Sequence, residues 1–149
     1  MITTLSVNTG EKPSPFVRRS FPRTWYYPRC RLLVWYPQGI LNAVFLEAVL
    51  DFIELEESDQ DAPFDRYIDF SALTDIRLKL NHVISVARRR RVVRQPVKSA
   101  LVAETAVAFA IAQMYERLMD EGMIEVRAFR HKEDAAEWLE VPLGILHRV

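Results

Sequence analysis

Cysteine is almost missing from this sequence: Cys30 is alone among 149 residues. A single thiol forms no disulfide framework and no multi-cysteine zinc site within the chain, so a reducing, cytoplasmic setting is expected. Long apolar runs are missing as well. Nothing approaches the roughly 20 apolar residues of a membrane span, and the opening MITTLSVNTGEKPSPF has no signal-peptide core. An excess of either charge is absent too, since 20 Lys and Arg face 20 Asp and Glu, which speaks against wholesale nucleic-acid binding. With four glycines no Gly-rich phosphate loop appears, and there is no HExxH. His82 and His131 have no partners at metal-ligand spacing, so no metal and no cofactor is expected.

What is present is a core. Half of the residues are hydrophobic, enough for one domain over residues 21–149. Residues 1–20 are polar, aperiodic and broken by Pro13 and Pro15, which reads as a loose arm. Thr9 to Pro13, TGEKP, matches a linker between zinc fingers, but one cysteine cannot build a finger.

The balanced charges are segregated along the chain. Lys12 to Arg31 carries bases and no acids, Glu47 to Asp65 acids and no bases, and Arg77 to Lys98 bases and no acids. Oppositely charged surfaces follow from this order.

In chain order, Thr24–Tyr27 and Leu32–Tyr36 are aromatic and β-branched around Pro28-Arg29-Cys30-Arg31, which predicts an antiparallel hairpin. Cys30 reads first as a turn residue, with a thiol pKa lowered by Arg29 and Arg31 as the alternative. After Pro37-Gln38-Gly39, Asn42 caps a helix with Phe45, Leu46, Val49, Phe52 and Ile53 on one face. Phe64 to Ile76, FDRYIDFSALTDI, reads as a buried strand and its exit turn, with Thr74 and Asp75 starting a second helix of Ile76, Leu80, Val83, Ile84 and Ala87. Ser99 to Ala103 is a short strand. Thr105 caps a third helix with Val107, Ala110, Ile111, Met114 and Leu118 inward and Gly122 at its C′ position. Ile124–Phe129 alternates as a strand, and Lys132–Leu139 forms the last helix. Such alternation predicts an α/β fold with a mixed, mostly parallel sheet wound by successive β-α units and started by an antiparallel hairpin.

RLLVWYPQGIL, YIDFSALTD, KSALVAETAVAFAIAQMYERL and IEVRAFRHKEDAAEWL, within about residues 24 to 140, resemble the SpoIIAA-like, or STAS-like, domains. The resemblance implies a non-enzymatic regulatory domain that binds a protein partner or a second copy of itself. It also implies a serine switch in a DSSG-like turn after the central strand. Here ALTDIRL stands in that place without the motif, and Thr74 is the residue at the same helix start. The fold is similar, too, to the lipid-binding half of Sec14-like proteins. That implies as an alternative the carriage of a small apolar ligand, expected here in a pocket under the aromatic hairpin.

In parallel α/β sheets ligands meet the carboxyl ends of strands. That edge is expected to hold Gln38, Gly39, Ser71, Thr74, Asp75, Glu104, Thr105, Arg130 and His131. Their spacing marks no nucleophile, and capping accounts for most of them. Arg88, Arg89, Arg90 and Arg91 with Arg94 form a second candidate. At a helix C-terminus they favour the dipole, and as a charged surface they are expected to meet an acidic partner or the acidic segment of another copy.

Overall fold

Near-continuous apolar runs such as Leu32–Trp35 and Ala100–Val102 suit a sheet that is covered on both faces, and the computed structural model, which describes residues 17–147, has this form. Residues 1–16 of the expected arm, TGEKP included, lie outside the described residues. Val17–Arg18 already form a short strand, β1, antiparallel to β2. The strands β2 (Thr24–Tyr27) and β3 (Leu32–Trp35) make the expected hairpin. From β3 the sheet continues in parallel through β5 (Asp65–Asp69), β7 (Val97–Val102) and β8 (Ile124–Phe129), in the order β1-β2-β3-β5-β7-β8.

Side chains alternate between the two faces. Leu33 and Trp35 pack with Val49, Phe52 and Ile53 of α1 (Ala43–Asp59), while Leu101 and Val126 pack with Ala87 of α2 (Leu80–Arg90) and Ala112 of α3 (Ala106–Leu118). On the other face Trp25, Val34, Tyr36, Tyr67 and Ala100 pack under Ala135, Ala136 and Leu139 of α4 (Lys132–Leu139) and under Leu146. Three helices thus cover one face and α4 with the C-terminal turn covers the other.

The caps fall where local chemistry puts them. Asn42 accepts the Phe45 N–H at 2.9 Å and Thr105 accepts the Ala108 N–H at 3.2 Å. The α3 seam is corrected: Ala108, Ala112 and Met119 are buried, whereas Val107 is 65% exposed and Ala110 is also exposed. The small alanines let the helix approach the sheet closely, turning the seam one position from the bulkier residues. Past α3, the left-handed residue is Glu121 (φ 67°) and not Gly122, whose N–H is held by the Met119 carbonyl at 3.1 Å.

A larger correction lies after β5. Thr74 and Asp75 do not begin a helix. Phe70–Ala72 make one 3-10 turn, and Leu73–Arg77 form β6, parallel to β4 (Gly39–Asn42) in a separate two-stranded sheet. Gly39 faces Leu73 and Ile40 faces Asp75, so Thr74 is a bulge residue without a partner across the pair. Helix α2 starts only at Leu80, where His82 Nδ1 accepts the Lys79 N–H at 2.9 Å.

The edge strand β8 has its own cover. Glu116 Oε1 of α3 accepts the Ala128 N–H at 2.9 Å. We expect Asn42→Ala to cost about 1 kcal/mol through its cap. Ala112→Leu, at a fully buried position, should cost about 1–3 kcal/mol by overpacking. Urea titration checks both, and an unchanged midpoint for Ala112→Leu contradicts the close helix–sheet contact.

Candidate functional site

At the carboxyl end of β5, Asp69 gathers its neighbours. Its carboxylate accepts the Tyr67 hydroxyl at 2.8 Å, and its Oδ1 accepts the Ser71 backbone N–H at 2.9 Å and the Ser71 hydroxyl at 2.6 Å. Burial pushes the Tyr67 phenol far above its ordinary pKa, and the charge of Asp69 adds to the effect. Ser71 is therefore a donor fastened to a carboxylate, with no imidazole bonded to it among the described residues.

Five of the expected edge residues do meet. Ser71, Thr74, Asp75, Glu104 and Thr105 line one cleft of 270 Å³, walled by Leu73 and Ile76 of β6 on one side and by Val107 and Ala108 of α3 on the other. Four consecutive residues of β6 line it. Since neighbouring side chains point to opposite faces of a strand, such a run exposes the edge of β6 and not one of its faces. The other four expected residues do not join the cleft. Gln38 is exposed before β4, and Gly39 serves the backbone there with φ 82°. Arg130 stacks over the Phe109 ring at 4.7 Å, and His131 is the exposed residue before α4, without a capping side-chain bond.

The arginine run is engaged within the fold. Arg89 holds Asp51 at 2.5 Å and Glu54 at 2.7 Å, both from the acidic helix α1. Arg90 and Arg66 both donate to Glu57 Oε2. Arg91 donates to the Leu118 and Asp120 carbonyls at 2.9 and 2.8 Å. Of the expected charged surface, Arg88 and Arg94 stay exposed with no such bond among the described residues. The acidic segment that was to lie on another molecule is the neighbouring helix.

Glu57 with its two arginines is deeply placed, the Arg66, Arg90 and Glu57 side chains being 4%, 3% and 11% exposed. Burial lowers the pKa of Arg66, with Glu57 opposing. These groups sit beside a 90 Å³ cavity between the sheet and α1, α2 and α3. The expected pocket under the aromatic hairpin is thereby relocated: of the hairpin residues only Trp35 lines this cavity, because Trp25, Tyr27 and Tyr36 fill the core of the opposite face.

Two smaller expectations change. Burial raises the Cys30 thiol pKa instead of lowering it, since the flanking arginines do not offset desolvation. His82 is half-buried and lines a hollow with Arg89. Among the described residues no cluster of His, Cys, Asp and Glu could hold a metal ion, and no helix is long and apolar enough to cross a membrane. The acidic stripe Asp51, Glu54, Glu57 is the site feature that sequence reading missed. Its three-residue spacing was the available signal.

No protein-family profile and no curated protein matches the chain. The chain is similar to a crystal structure of an uncharacterised protein from the DUF3478 family with a SpoIIAA-like fold from Shewanella loihica PV-4. The two are 16% identical, the match covers 87% of this chain and 99% of that one, and the TM-score is 0.49.

The cluster predicts an asymmetry. Glu57→Gln leaves two buried cations facing each other and should cost about 3–5 kcal/mol, whereas Arg66→Met leaves the Arg90–Glu57 pair and should cost far less. Equal losses in urea unfolding contradict this account. A pH effect accompanies it. The Arg89 hydrogen bond holds the Glu54 carboxyl below its ordinary pKa. Its stabilisation is therefore complete above the unfolded value of about 4.3 and is lost as pH falls through the lower folded value. The stability gap between wild type and Arg89→Gln, open at pH 7, should close in acid; a gap constant down to pH 2 contradicts the pairing.

Proposed function

We propose that this protein is a non-enzymatic interaction domain that receives an extended segment of a partner protein, or of a second copy, along β6. The observation that supports this reading is the unfinished second sheet. Among the described residues β4 and β6 pair only with each other, and the β6 edge opens on a cleft. A strand with one unpaired side offers a row of N–H and C=O groups to an incoming strand. The main chain supplies affinity in that mode, and side-chain contacts supply the choice of partner.

The surroundings suit a segment with apolar residues. Val107 stands on the far wall of the cleft, 65% exposed, and Ile40, Val44 and Leu80 are exposed on or just beyond the paired strands. Exposed apolar side chains grouped around an open strand edge are a feature of interaction surfaces. Glu104 adds a negative charge to the rim, and the exposed Asp75–Arg77 pair at 2.8 Å is too solvated to close it.

Hydrogen exchange and differential capture test the proposal. A partner retained by the wild type should be lost on Val107→Glu, a surface change that leaves the melting temperature in place. The backbone amides of Thr74 to Arg77 should exchange at least tenfold more slowly in the complex or self-associated form. If sedimentation shows a monomer at all concentrations and no retained protein distinguishes the wild type from Val107→Glu, or if the β6 amides are unprotected in a complex, the reading fails.

A further inference from the structure

The buried charge cluster is short of acceptors where it meets the cavity. Arg66 lies on β5 opposite Leu33 of β3 and Ser99 of β7, facing α1 and α2. Its guanidinium carries five N–H donors, of which NH2 is given to Glu57 and the buried Nε has no partner among the described residues. Arg90 draws on the same Glu57, and its NH1 lies 3.9 Å from Glu54, which Arg89 already holds. Two buried cations therefore lean chiefly on one carboxylate. A second residue lining the same cavity carries an orphan donor: Trp35 Nε1 is buried without a partner among the described residues. Buried N–H groups left unmatched cost free energy that an acceptor returns.

Beyond Arg66, Arg90 and Trp35, the lining holds the hydroxyl residues Ser99 and Tyr115 and is otherwise apolar, including Leu50, Ile53, Val83 and Ile111. Its chemistry calls for a ligand with one anionic end and a hydrocarbon remainder. A carboxylate suits the planar fork of a guanidinium. Two arginines against the one carboxylate of Glu57 leave a single positive charge, which a monoanion matches and a doubly charged phosphate ester exceeds. Size narrows the class. The cavity measures 90 Å³, against about 150 Å³ for a cavity that takes benzene, which in proportion leaves room for about four non-hydrogen atoms.

We propose that the cavity between the sheet and helices α1, α2 and α3 is a binding site for a short-chain monocarboxylate, held at Arg66 with its hydrocarbon end among the apolar side chains. Arg90 and Glu57 position Arg66 and are not themselves required to touch the ligand. The site is separate from the β6 edge, so either can fail without the other.

The test uses acetate on the full chain, with 2-propanol, a neutral molecule of similar size, and sodium chloride as controls, followed by the Trp35 indole N–H resonance and by thermal melting. Trp35→Phe assigns that resonance among the three tryptophans. Acetate should shift it saturably and raise the Tm, while equal concentrations of 2-propanol and chloride do neither to the same extent. Arg66→Met should weaken acetate at least tenfold without changing the weak response to 2-propanol. Arg66→Lys, which keeps the charge without the fork, should fall between them and serves if the methionine variant does not fold. No saturable shift with acetate, an equal response to 2-propanol, or undiminished binding in both Arg66 variants overturns the proposal.

Discussion

One carboxylate ties three elements together. Glu57 stands in the last turns of α1 and receives Arg66 from β5 and Arg90 from the end of α2. A carboxylate meets both guanidiniums only if α1 and α2 lie side by side over the start of the parallel sheet. The bonding geometry is thus a condition on the packing of the whole helical face. A buried ion cluster adds little net stability compared with an apolar core of the same volume, yet it penalises arrangements that separate its members. Asp51 and Glu54 continue the same seam outward to Arg89, where solvent weakens each pair.

That seam changes the meaning of the charge pattern. An acidic block and a basic block flank β5 in the chain, and the fold makes them adjacent helices, so Asp51, Glu54 and Glu57 meet Arg89 and Arg90 inside one molecule. The surface proposed for recognition lies instead where the backbone is unfinished, beside β6. The fold closes its large sheet with two layers of side chains and leaves its small sheet with two strands and exposed residues on both. Rigidity and availability are divided between the two sheets.

Much of this was legible in the sequence because it depends on local chemistry. Asn42 and Thr105 announce their helices by capping, Pro28 to Arg31 announces a turn, and the aromatic and β-branched run Leu32–Trp35 and the period of two along Ile124–Phe129 announce strands. The mixed, mostly parallel sheet started by a hairpin follows from their order. The small sheet was not legible. β4 has four residues and β6 five, too short for a period to show, and Thr74-Asp75 has the composition of a helix start. Its strand conformation comes from β4, whose paired residues lie 34 or 35 positions earlier in the chain. Of the strand-end edge read from topology, Ser71, Thr74, Asp75, Glu104 and Thr105 line one cleft, while Gln38, Gly39, Arg130 and His131 lie outside it. The paired arginines needed the neighbour relation of α1 and α2, which no single helix reveals. The cavity needed the volumes of side chains from three helices and five strands.

The outer side of β8 is treated quite differently from that of β6. Glu116 occupies the Ala128 N–H, and Glu125 and Arg127 stand exposed along the same strand. A carboxylate on an edge amide and charges beside it make growth of the large sheet into a neighbouring molecule costly. The long edge of the fold is thereby shielded from fibril-like polymerisation. The open edge that remains belongs to the five-residue β6, whose length limits the ladder a neighbouring chain could build on it.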